Sequence, residues 1–156
     1  MARVSRRRTI AAPVQEVWDL VSDPYNLPRW WPRTTRVENV DEKGGQEGSG
    51  EWTKVLETAE GRGVRADYRC LSSVEGERFV WEQQIPGTPF ERHLRASRVE
   101  IQMRGEGNAT DVTLTAEQTL RGMSRLGSPM MRRGQGAILE EALDGIERAL
   151  TDGPER

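Results

Sequence analysis

Cysteine is almost absent from this sequence. Cys70 stands alone, which excludes an internal disulfide and any zinc site built from several cysteines. Histidine is as scarce, with His93 the single one, so a His/Cys metal cluster is not expected, and neither a metal nor a cofactor is called for. Lysine is rare too: Lys43 and Lys54 are the only two among 23 basic residues, leaving 21 arginines, a skew that points to a GC-rich bacterial genome. The net charge is −2 with a pI near 5.6, so no global field favours nucleic acid. No apolar run approaches the roughly 20 residues of a membrane helix. The opening SRRRTI precedes AAPVQEVWDL, which is no export-signal core, so a cytoplasmic protein is expected. The glycine-rich DEKGGQEGSG lacks the Gly-Lys-Ser/Thr of a phosphate-binding loop.

What is present is a regular order of elements. Alternation predicts a strand over Val4–Ile10, with Val4, Arg6, Arg8 and Ile10 on one face; a basic edge of this kind is expected to be merely solvated. A short helix follows, with Pro13 in its first turn, a stripe of Val14, Val17, Trp18 and Val21, and a stop at Asp23-Pro24. A second short helix or turn spans Pro24–Trp31. Six strands then run from Thr34 to Leu120, joined by short turns, as an antiparallel meander.

A last helix is predicted from about Ser128 to Leu150, roughly 33 Å long at 1.5 Å per residue. Ile138, Ala142, Ile146 and Ala149 share one face, while Glu140, Asp144, Glu147 and Arg148 are assigned to water. Gly134, Gly136 and Gly145 weaken this helix intrinsically, so packing must hold it.

One sheet with one long helix has a single economical solution: an α+β fold in which a curved antiparallel seven-stranded sheet wraps the C-terminal helix. One helix fills such a sheet incompletely, so a cavity is expected between them. The domain is taken as residues 1–152, with 153–156 a short tail.

The run RTIAAPVQEVWDLVSDPYNLPRWWP, the meander and the C-terminal helix resemble the SRPBCC superfamily, whose helix-grip members include START domains and the birch-pollen allergen group. The similarity is greatest to the bacterial polyketide cyclase/dehydrase family. It covers nearly the whole chain, and its sharpest part is the set Ile10, Ala12, Pro13, Val17, Trp18, Asp23 and Trp30. The resemblance implies a helix-grip fold with a pocket, while the chemistry differs among members and must be argued from the site.

Strand parity supplies the inward face directly. It predicts a pocket lined by Trp52, Lys54, Tyr68, Trp81, Gln83, His93, Arg95, Val99 and Gln118. Met131, where the last strand meets the helix, is added as an adaptable wall residue, and the resemblance implies that Trp30 and Trp31 stand at the entrance. A single bulge in the long sixth strand would replace His93 and Arg95 by Arg92 and Leu94. Mostly apolar walls with a few polar groups suit a small hydrophobic ligand, polyketide-like or aromatic. The alternative is a cyclase/aromatase, which needs a base and an enolate-stabilising donor; His93, Arg95 and Tyr68 are the catalytic candidates. A third reading, a protein-interaction or co-chaperone-like module, would require Trp30-Trp31 as an exposed apolar patch. The expected partner is thus a small hydrophobic molecule, with no nucleic acid and no membrane span, on a monomer or homodimer.

Overall fold

A computed structural model describes residues 2–41, 50–56, 64–92, 94–120 and 128–151. The elements are β1 (Ala2–Ile10), α1 (Val14–Val21), α2 (Leu27–Trp30), β2 (Thr34–Asp41), β3 (Glu51–Leu56), β4 (Val64–Val74), β5 (Arg78–Gln83), β6 (Leu94–Glu106), β7 (Ala109–Leu120) and α3 (Ser128–Thr151). Single turns of 3₁₀ helix cover Pro24–Asn26 and Pro89–Arg92. All seven strands form one antiparallel sheet in the order β1-β7-β6-β5-β4-β3-β2. This is the curved sheet and long C-terminal helix of the helix-grip fold.

Local chemistry explains each short element. The apolar stripe of α1 buries Val17, Trp18, Leu20 and Val21. Asp23 then accepts a hydrogen bond from the Tyr25 amide at 3.0 Å and caps the following turn, where Pro24 fits the first position. Tight reversals between strands fall at Gly76 and Gly107, both with positive φ (73° and 65°), a conformation glycine adopts without penalty.

The core is continuous from α1 and α2 across the inner face of the sheet to α3, where Leu139, Ala142, Leu143 and Ile146 are fully buried. Helix α3 packs mainly on β1, α2 and β7, at one side of the sheet. The inner face of β3, β4 and β5 therefore lies beyond its reach, and aromatic side chains cover it instead.

The strand face of β1 departs from expectation. Arg8 is half-buried and reaches α3, where it bonds Glu140 at 2.9 Å, Asp144 at 2.5 Å and Glu147 at 3.3 Å. Arg6 also pairs with Glu140, at 3.4 Å. These arginines tie strand to helix rather than lying free in water, because α3 presents its acidic face to the edge strand.

Candidate functional site: an aromatic cavity with a buried amine

Five aromatic residues form the floor and wall of the site. Trp52, on β3, stacks near-parallel to Tyr68 (6.1 Å) and Phe79 (6.2 Å). Trp81, on β5, meets Trp52, Tyr68 and Phe79 edge-on at 6.0, 6.5 and 6.2 Å. Alternation and register bring them together: Trp52 opposes Tyr68 across β3–β4, and Trp81 opposes Cys70 across β4–β5. Trp31, just after α2, closes over them, 5.2 Å from Trp81 and edge-on to Trp30 at 5.5 Å.

Lys54 lies inside this cage. It is on the inward face of β3, opposite Ala66 on β4 and Val37 on β2. Only 4% of its surface is exposed. Its Nζ sits 4.6 Å from the ring centroid of Tyr68, 5.1 Å from Trp31 and 6.0 Å from Trp81. The ring faces offer a cation partial compensation for lost water. No carboxylate pairs with it among the described residues. Burial consequently brings the Lys54 ammonium down from 10.5 to about 7. The same burial pushes the Tyr68 hydroxyl well above its ordinary value, so it stays protonated and able to donate.

Beside the cage opens a cavity of about 400 Å³. It is bounded by Lys54, Tyr68, Trp81 and Val99 from the sheet, Gln135 and Ile138 from α3, and Trp31 at one side. That volume is within the usual range for small-molecule sites. Gln118 and Ser97 also line it, joined by a 3.2 Å bond from the Gln118 amide to the Ser97 hydroxyl. The Gln118 Oε1 is buried without a hydrogen-bond partner. An orphaned acceptor beside a cavity suits a donor on a ligand or an ordered water. Arg33 stands at the rim, exposed, with its backbone at φ 59°, a left-handed conformation unusual for a residue with a side chain.

The predicted site residues divide as follows. Lys54, Tyr68, Trp81, Gln83, Val99 and Gln118 border the cavity, as does Trp31 from the predicted entrance pair. Trp52 is buried behind them in the aromatic floor. Trp30, 2% exposed, packs as core under α3 rather than at an entrance. With Trp31 also 9% exposed, the two tryptophans form no exposed apolar patch of the kind a protein-interaction role would need. Met131 packs with Ile85, Leu94 and Leu120 in a separate small cluster. Arg95 is corrected: it is exposed and absent from the cavity wall. The cause is a register shift between Leu94 and Ala96 that turns Leu94 inward, the bulge weighed from sequence. His93 lies outside the described residues. Phe90, Gln135 and Ile138 were not foreseen: Phe90 belongs to a connection and the others to a helix, where strand parity carries no signal. Among the described residues no group of three or more His, Cys, Asp or Glu is placed to hold a metal, and no helix is long and apolar enough to cross a membrane.

The fold and the site together are those of a helix-grip protein with an internal pocket. The sequence profile of the family described as "Polyketide cyclase / dehydrase and lipid transport" matches residues 1–151, and the chain belongs to that family. Its structure is similar to a START superfamily protein from Mycobacterium smegmatis, at 15% identity and a TM-score of 0.76, covering 97% of this chain and 99% of the other. It is similar also to the Zhui aromatase/cyclase from Streptomyces, at 19% identity and a TM-score of 0.69, covering 98% of both chains. A third likeness is to StfQ, a di-domain ARO/CYC of the steffimycin biosynthetic pathway, at 12% identity and a TM-score of 0.75; 94% of this chain matches 50% of that one. At these identities the likeness establishes the fold alone. None of the curated protein sequences compared matches the chain significantly.

Proposed function

We propose that the protein binds a small hydrophobic molecule with ring character in the cavity between its sheet and α3. The observation that carries this reading is the cavity itself, about 400 Å³ walled by Trp31, Tyr68, Trp81, Val99 and Ile138 with a few polar groups inset. Apolar walls supply affinity by removing ligand surface from water, at about 25 cal/mol per Å², and the polar groups fix orientation. Native mass spectrometry of the protein purified from its own host, followed by denaturing extraction, tests this. An apolar molecule retained in one-to-one ratio, and lost on Trp81→Ala, is the expected result. A protein with no adduct, and no binding of any aromatic probe by calorimetry, would overturn it.

One observation favours a second reading, catalysis of an aldol cyclisation and dehydration. A general base works best when its pKa is near the operating pH, and Lys54 titrates at about 7 beside the neutral hydroxyl of Tyr68. In that reading the neutral Lys54 amine takes a proton alpha to a ketone, and Tyr68 donates to the enolate oxygen. The pair would replace His93 and Arg95 in those roles. Turnover of a poly-β-ketone mimic, abolished in Lys54→Met and reduced in Tyr68→Phe, is the corresponding test.

A further inference from the structure

Among the described residues, the charges that line the cavity are of one sign. Lys54 and Arg33 are the charged residues among those that line it, and both are cationic. The acids of the sheet that pair with arginines do so outside the cavity wall: Glu38 with Arg36 and Arg65, Glu82 with Arg69, Glu100 with Arg78, and Glu117 with Arg3 and Arg98. A buried ammonium with no carboxylate is costly, since removing a charge from water is repaid only by a partner. Three aromatic rings offset part of that cost and leave the rest unmet.

We propose that the ligand of this cavity is an acid: a ring-bearing apolar body whose carboxylate, or other ionised oxygen, pairs with Lys54 Nζ. This rests on the reading of the cavity as a small-molecule site and gives that site its ligand class. The body lies along Trp81, Val99 and Ile138, and the anion supplies the partner that no described residue gives Lys54. Arg33, exposed at the rim, adds a second positive charge that draws anions toward the opening. The apolar cage makes the pairing strong, because a charge-assisted hydrogen bond shielded from water is worth more than one at the surface.

Proton linkage follows from the same arrangement. The side chains facing Lys54 from the elements around it are Val37 (β2), Ala66 and Tyr68 (β4), Trp81 (β5) and Trp31. Among them only Tyr68 titrates, and burial keeps it neutral. Arg33 is the other charged residue of the described cavity wall. An anion beside Lys54 raises its proton affinity, so above about pH 7 binding an acid takes up a proton.

Calorimetric titration with 2-naphthoate and with its neutral analogue 2-naphthylmethanol tests the proposal, at about pH 6 and about pH 9, on the wild type, Lys54→Met and Lys54→Arg. At the lower pH the wild type should hold the carboxylate about tenfold to a hundredfold more tightly than the alcohol, the range expected for one hydrogen bond to a charged group. That preference should shrink at the higher pH, persist there in Lys54→Arg, and vanish in Lys54→Met while the alcohol still binds. Equal affinity for acid and alcohol in the wild type at the lower pH would overturn the acid assignment and leave the cavity reading intact. Failure of both probes to bind would overturn the two together. A carboxylate preference that survives in Lys54→Met would sink the role of Lys54, and comparison of the wild type at the two pH values decides the matter even if a variant fails to fold.

Discussion

Gly145 on α3 lies against the backbone of Trp30 on α2, so close that a methyl group on Gly145 would stand 2.7 Å from the Trp30 Cα and collide with its carbonyl oxygen. The helix tolerates this intrinsically weak residue because the absent side chain lets two backbones meet. Gly145→Ala is therefore expected to destabilise the protein by about 2 kcal/mol or more, as overpacking against immovable backbone does. Gly134, on the same helix, has nothing within 4 Å of the same position. Gly134→Ala should instead stabilise by roughly 0.5 to 1 kcal/mol through helix propensity. Urea unfolding of the two variants beside the wild type checks the opposite signs.

That contrast shows how far the sequence could be read. All three helix glycines look alike in a propensity argument, and only the approach of Trp30 separates Gly145 from Gly134. The β2–β7 meander was legible from its short turns and its inner face from period-2 alternation, and Trp52, Tyr68, Trp81, Val99 and Gln118 all sit on the face so predicted, whereas the pairing of β1 with β7 carried no such signal. Register inside a long strand is weaker. The irregularity between Leu94 and Ala96 moved Arg95 outward, and one residue of slip exchanges the faces of a strand. Lys54 was placed inward by parity, but its three-ring cage depends on Trp31 folding back from a separate segment, which periodicity cannot express. The β1 arginines were read as solvated because their acidic partners lie more than 130 residues away on α3.

Arg8 is the centre of the ion network joining β1 to α3. Its guanidinium is held above its ordinary value, chiefly by its hydrogen bond to Asp144. Partly exposed pairs are individually weak, yet one guanidinium bridging three carboxylates works as a network. Arg8→Ala should cost about 1 kcal/mol, and Arg8→Lys should recover only part of it, because an ammonium cannot fork across Glu140 and Asp144 together. Thermal unfolding at low and high salt checks both, since the loss should narrow as salt screens the wild-type network.

Trp31 is the lid of the amine. Its ring lies 5.1 Å from Lys54 Nζ, and it lines the cavity together with Lys54 and Arg33. Trp31→Ala should admit water to Lys54, and its titration midpoint should rise from about 7 toward the ordinary 10.5. Because the sequence has only two lysines, NMR of isotopically dimethylated protein resolves Lys54 directly. A midpoint unchanged in the variant would mean that Tyr68 and Trp81, rather than Trp31, exclude the solvent.

Lys54 also sets a pH dependence of stability whose sign is fixed. The group takes its proton at about 7 when folded and at 10.5 when exposed, so between these values the unfolded chain binds more protons than the folded one. Below about pH 7 both states carry the charge and the burial penalty is fully present; as pH rises toward 10.5 the folded state sheds the proton and that penalty fades. Stability should therefore climb through this window, by at most about 1.4 kcal/mol per pH unit from this one group. Lys54→Met keeps the length of the stem and removes the amine, which leaves a flexible apolar side chain among aromatic rings. It should raise the melting temperature at neutral pH and flatten the slope above pH 7. Thermal unfolding of both proteins across that range reads the difference. An identical slope in the variant would show that the buried ammonium is already relieved by water, and would remove the reason for it to seek an anion.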